Sequence, residues 1–116
     1  MPSMIYKICP EKLWREAEQA GIFAGAPVDL ADDFIHFSTA EQVRETAARH
    51  FAGQHGLVLV AFDGGRLGPA LRYEASRGGA LFPHLYGTLN PKLALWVKPL
   101  PLGEDGIHVF PELFAT

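Results

Sequence analysis

The chain has 116 residues, 48% of them apolar, which is the length of one domain and enough apolar material for a core without metal or disulfide support. A formal net charge of -3 argues against a domain that grips a long polyanion, because duplex binding needs a concentrated basic stripe. Cys9 is the single cysteine, so no intramolecular disulfide can form; with no signal-peptide h-region at the N-terminus and no apolar run near the ~20 residues that span a bilayer, a cytoplasmic protein without membrane contact is expected.

Met4 to Cys9 alternates apolar and polar residues, with β-branched and aromatic members, and predicts a first strand. Cys9 inside such a strand reads as a small buried hydrophobe. Pro10 then opens a helix in which Leu13, Trp14 and Ala17 recur at helical spacing until Gly21 ends it. Residues 21–33 hold several breakers, Gly21, Gly25 and Pro27 among them, and predict a loop able to edge a pocket. Phe34 to Phe37 follows as a short strand with Phe34, His36 and Ser38 on one face and Ile35 and Phe37 on the other.

Ser38 with Glu41, or Thr39 with Gln42, makes a capping box before Val43, Ala47 and Phe51, so a second helix is expected directly after the histidine strand. Leu57 to Phe62 is almost wholly apolar and predicts a central strand buried on both faces, ended by the turn Asp63-Gly64-Gly65. Ala70 to Glu74 predicts a strand with Arg72 and Glu74 on one face, and Arg77-Gly78-Gly79 a mobile loop. Further strands are expected over 81–89 and 93–97, the second closed by Pro99 and Pro101, with a last short edge at Val109 and Phe110. Two early helices and mostly late strands give an α+β fold rather than an alternating parallel sheet.

Three constellations carry chemistry. At a strand-to-helix junction, His36, Ser38, Thr39 and Gln42 could converge on a sugar or an anion; a hydrogen-bonded structural histidine beside an ordinary cap is the competing explanation. In Phe82-Pro83-His84-Leu85-Tyr86-Gly87, His84 and Tyr86 project to one side of an extended segment, where the phenol ring offers a stacking surface, or else seals the core. Arg72 and Glu74 place a cation and a carboxylate on one sheet face, as a site or as an exposed ion pair. His36, His50, His55, His84 and His108 lack ligand-type spacing, so no metal site is expected; there is no serine elbow and no Gly-rich phosphate loop.

The segments Asp33-Phe34-Ile35-His36-Phe37-Ser38-Thr39 with Gln42, Leu71-Arg72-Tyr73-Glu74, and Phe82-Pro83-His84-Leu85-Tyr86-Gly87 with Leu89-Asn90 together resemble domain-of-unknown-function family 952 over nearly the whole chain. That family is in turn similar to the ADP-ribosyltransferase fold, shared by RNA 2′-phosphotransferases. The resemblance implies a small single domain with a split, mostly antiparallel sheet, two N-terminal helices, and NAD or a ribose phosphate in its cleft. Carried over by residue, His36 would anchor the adenosine ribose, Tyr86 would pack on nicotinamide and Glu74 would bond the nicotinamide ribose, although Glu74 precedes Tyr86 in the reverse of the usual order. No resident cofactor is required: NAD would be substrate or ligand. Three activities stay open, namely NAD-dependent transfer or glycohydrolysis, non-catalytic nucleotide binding, and RNA-end phosphotransfer, the last disfavoured by the acidic charge.

Overall fold

The computed structural model describes residues 4–113, and at Arg77 the backbone alone. It is a small α+β domain with two antiparallel sheets. The first strand, β1 (Met4–Pro10), runs straight into helix α1 (Glu11–Ala20), with Pro10 as the last strand residue and N-cap rather than the first helical position. Proline suits that junction because its absent N–H needs no partner at a helix start. Gly21, at φ 78°, takes the left-handed conformation that ends α1, and its N–H bonds the Ala17 carbonyl.

A second helix, α2 (Pro27–Asp32), lies where a loop was expected, so the fold has one more helix among its described residues than the sequence predicts. It is six residues long and holds too little periodicity to register as a pattern. It forms because Pro27 pre-sets the first turn and the Asp29 carboxylate reaches back to the Ala26 N–H at 2.7 Å.

The histidine strand is divided. β2 (Ile35–His36) pairs with one sheet and β3 (Ser38–Thr39) with the other, Phe37 between them donating its N–H to the Pro83 carbonyl. Helix α3 (Val43–His50) starts later than the capping boxes predict: 40–42 form a turn, and Gln42 is the N-cap. Half of the Thr39–Gln42 box is nonetheless present, since the Gln42 side chain accepts from the Thr39 N–H, and its amide donates to the Leu81 carbonyl.

β4 (Leu57–Asp63), β5 (Leu71–Ala75), β6 (Leu81–Leu85) and β7 (Trp96–Leu100) complete the sheets, in the orders β3-β1-β4-β7 and β2-β6-β5. β6 is shorter than expected, and the segment from 77 to 79 is a 3-10 turn. Pro99 does not close the last strand but lies inside it, opposite Val58. An edge strand tolerates it because the outer side of β7 needs no N–H. Val109 and Phe110 make no strand, although the Val109 N–H bonds the Pro101 carbonyl.

β4 joins the two halves of the core. Val58, Val60 and Phe62 pack with Ile5, Cys9, Trp14, Ile35 and Leu85, and so bind the first sheet to α1 and to the inner face of the second. Leu57, Leu59 and Ala61 pack with Tyr6, Ile8, Val43 and Ala47 under α3. Alternation along one apolar strand thus feeds both faces. Burial pushes the Cys9 thiol up to about 12, so it is a packing group and not a nucleophile.

Candidate functional site

β3 pairs with β1 only at Ile5↔Thr39 and Tyr6↔Ser38. Beyond Tyr6 the two part, and the chain crosses at Phe37 into the second sheet. A cleft of about 660 Å³ lies at this divide, lined by Lys7, Asp32, His36, Ser38, Phe82 and His84 among others.

One wall of the cleft is an ionic chain. Ile5, Lys7 and Cys9 share a face of β1, so Lys7 points toward the core side and is only 4% exposed. Asp29, 2% exposed, meets it with Nζ 2.9 Å from both carboxylate oxygens. Asp29 also accepts from the His36 backbone N–H at 3.0 Å and lies 2.6 Å from His36 Nδ1. On the other side of the ring, His36 Nε2 is 2.9 Å from Asp32 Oδ2. Both ring contacts are hydrogen bonds at once only when both nitrogens carry hydrogen. Burial raises the Asp29 carboxyl, but the His36 bonds and the Lys7 charge outweigh it and bring the group down to about 2.

Close backbone geometry sets this wall. Gly25 has φ 127°, and a Cβ there would come within 2.8 Å of the Asp29 Cβ, so a side chain at 25 would displace the buried carboxylate. Asp33 ends α2 at φ 66°, a left-handed conformation that aspartate tolerates better than most residues. That turn brings Asp32 and His36 to the same point.

The outer face of the second sheet adjoins the cleft, entering its lining at His36, Phe82 and His84. His36 pairs with His84 and Arg72 with His84, in register across β2-β6-β5. Glu74 Oε1 accepts from the Tyr86 hydroxyl at 2.7 Å and lies 2.9 Å from His84 Nδ1. Those bonds, Tyr86 first and then His84, hold the Glu74 carboxyl below its usual range, and the same contact raises the Tyr86 phenol. The Arg72 guanidinium carbon sits 5.3 Å from the Tyr86 ring centre. Phe34 ties the ionic chain to this sheet cluster: its ring stacks on His84 at 4.0 Å and lies 4.5 Å from His36 and 5.4 Å from Tyr86.

Of the residues singled out in the sequence, His36, Arg72, Glu74, His84 and Tyr86 therefore form one continuous cluster. Arg72, Glu74 and Tyr86 stand beside His84, outside the lining of the cleft. Ser38 is buried under α3 with its Oγ 2.9 Å from Thr46 Oγ1, while Thr39 and Gln42 bond each other at the start of the α3 turn and lie outside the lining. Lys7, Asp29, Asp32 and Phe34 were missed as site residues. A signal for Lys7 was present, since an ionisable side chain between Ile5 and Cys9 on one strand face demands a buried counter-charge; nothing local marked Asp29 as that partner.

Among the described residues, no group of three or more His, Cys, Asp or Glu side chains is arranged to hold a metal ion, and no helix is long and apolar enough to cross a membrane. No curated protein is significantly similar to the chain. Among solved structures, the crystal structure of protein CC0527 from Caulobacter crescentus is similar at 48% identity, with a TM-score of 0.88, covering 91% of this chain and 93% of that one. The solution structure of CC0527 is similar at 48% identity and a TM-score of 0.82, covering 90% of each chain. The model of a family described as a protein of unknown function, DUF952, matches residues 8–97. The chain belongs to the DUF952 family.

Proposed function

We propose that the cleft binds a nucleotide through its ribose, with NAD as substrate or ligand, and that the cluster on the second sheet acts on the nicotinamide–ribose bond. One observation carries this reading: His36, His84, Glu74 and Tyr86 form a connected polar and aromatic surface at the edge of a cleft large enough for a nucleotide. His36 would bond the adenosine ribose. Tyr86, backed by Arg72, offers a ring for nicotinamide to stack on. Glu74, a carboxylate whose ionised form its Tyr86 and His84 bonds favour further, would accept from the ribose 2′-OH and stabilise the positive charge that develops at C1′.

In that step the C1′–N bond breaks and its electron pair stays with the nicotinamide nitrogen, neutralising the pyridinium. Water or another hydroxyl adds at C1′ and gives up its proton to solvent. The test is a titration of labelled protein with NAD, followed by an assay for released nicotinamide. Amide shifts that saturate around His36, Ser38 and Tyr86 are expected, with release slowed by about 10²-fold or more in Glu74→Gln. No shift at millimolar NAD overturns the nucleotide reading, and equal turnover by Glu74→Gln overturns the role of the carboxylate.

A second reading, binding without turnover, is favoured by the position of Glu74 and Tyr86 beside the cleft rather than in its lining. It predicts saturable NAD binding that His36→Ala abolishes and Glu74→Gln leaves intact, with no nicotinamide released.

A further inference from the structure

Asp32 is the last residue of α2, and its side chain is half-exposed in the cleft lining. Its ion pair with His36 is open to water, and such pairs contribute little to folding. An acidic residue at a helix C-terminus is also unfavourably placed toward the carbonyl end. Stability therefore does not account for Asp32 at this place.

Its position relative to His36 suggests a different role. Nδ1 of His36 is tied to the buried Asp29, so Nε2 is the ring nitrogen that faces the cleft, and Asp32 Oδ2 lies 2.9 Å from it. A ligand entering here meets a ring N–H donor and a carboxylate acceptor side by side. Two neighbouring hydroxyls suit that pair, because a carboxylate accepts from both O–H groups of a cis-diol and the imidazole can donate to one of their oxygens. A phosphate does not suit it. Among the described residues, Lys7 is the one Lys or Arg in the cleft lining, and its charge is already matched by Asp29 at 2.9 Å. Asp32 already holds the cleft-facing Nε2 at 2.9 Å, so an anion bound at His36 would have to compete with a carboxylate for that N–H and lie directly against it.

We infer that Asp32 makes the His36 end of the cleft selective for a ribose with both hydroxyls free, so that NAD is taken in preference to its 2′-phosphorylated form, NADP. This rests on the nucleotide reading of the same cleft. It also sets the site apart from one built for 2′-phosphorylated RNA ends.

The experiment is a pair of titrations, NAD and NADP, on the parent protein, Asp32→Asn and Asp32→Glu. In the parent, NAD is expected to bind about tenfold more tightly than NADP. Asp32→Asn, which removes the charge with little change of shape, should narrow that ratio to about threefold or less, chiefly by strengthening NADP. Asp32→Glu keeps the charge and should keep the preference for NAD. Equal affinities in the parent, or an unchanged ratio in Asp32→Asn, overturn the inference and leave the nucleotide reading standing. No saturable response to NAD in the parent overturns both.

Discussion

The two sheets of this domain differ in what their faces meet. The four-stranded sheet is covered on both sides, by α3 on one face and by α1 with the inner face of the second sheet on the other. The three-stranded sheet buries Ile35 and Leu85 inward, but its outer face carries His36, His84, Glu74 and Arg72 toward solvent and the cleft. The first is built for stability, because burial of apolar area is the main favourable term in folding. The second presents polar groups on a backbone that the first holds rigid. Asp29 sits where the two meet and belongs to both.

The contrast predicts unequal responses to mutation. The largest loss is expected at the covered sheet: Phe62, fully buried and in ring contact with Trp14 and Phe37, should destabilise by about 3–5 kcal/mol in Phe62→Ala, measured by urea unfolding. Asp29→Ala should come close, at about 3 kcal/mol, because it leaves the Lys7 ammonium buried without its counter-charge. A loss under ~1 kcal/mol there would mean that Lys7 finds water, and that the divide between the sheets is wetter than the packing indicates.

Acid sharpens the same point. An aspartate in an unfolded chain titrates near ~3.9, whereas Asp29 in the fold titrates at about 2. Its folded pKa is depressed, so the stability it contributes is fully present above ~pH 4 and is lost as pH falls through 2. Urea midpoints measured from pH 5 to pH 2 should fall for the parent and fall less steeply for Asp29→Asn. The smallest effect is expected on the outer face. Glu74→Gln should leave the thermal midpoint within ~2 °C of the parent, because Glu74 and Tyr86 are open to water and the glutamine amide oxygen can still accept from Tyr86 and the buried His84. A larger drop would make Glu74 a structural residue and weaken its functional assignment.

Much of this was legible in local pattern. The β1 strand, the α1 helix ended by Gly21, and the two-sided β4 all follow from periodicity and breakers, and those signals act within a few residues of chain. The face shared by Arg72 and Glu74 also followed from the two-residue period of a strand, whereas Tyr86 lies one residue past β6 and joins His84 through Glu74. Where short elements replaced expected ones, the pattern was equally local but weaker: six residues of α2 offer less than two turns of it, and the expected Thr39–Gln42 bond closes a turn over 40–42 ahead of α3 rather than its first helical turn.

Chain pattern alone was sufficient for the class of fold, the central strand and the residue types gathered on one strand face. Tertiary structure decided which of those residues meet. Lys7, Asp29 and His36 are far apart in pattern and become one ionic chain only because β1 and β3 part after Tyr6 and α2 enters the gap. Periodicity reports which side of its own element a residue faces. It carries no information about which other element arrives there, and a buried charge is defined by that arrival.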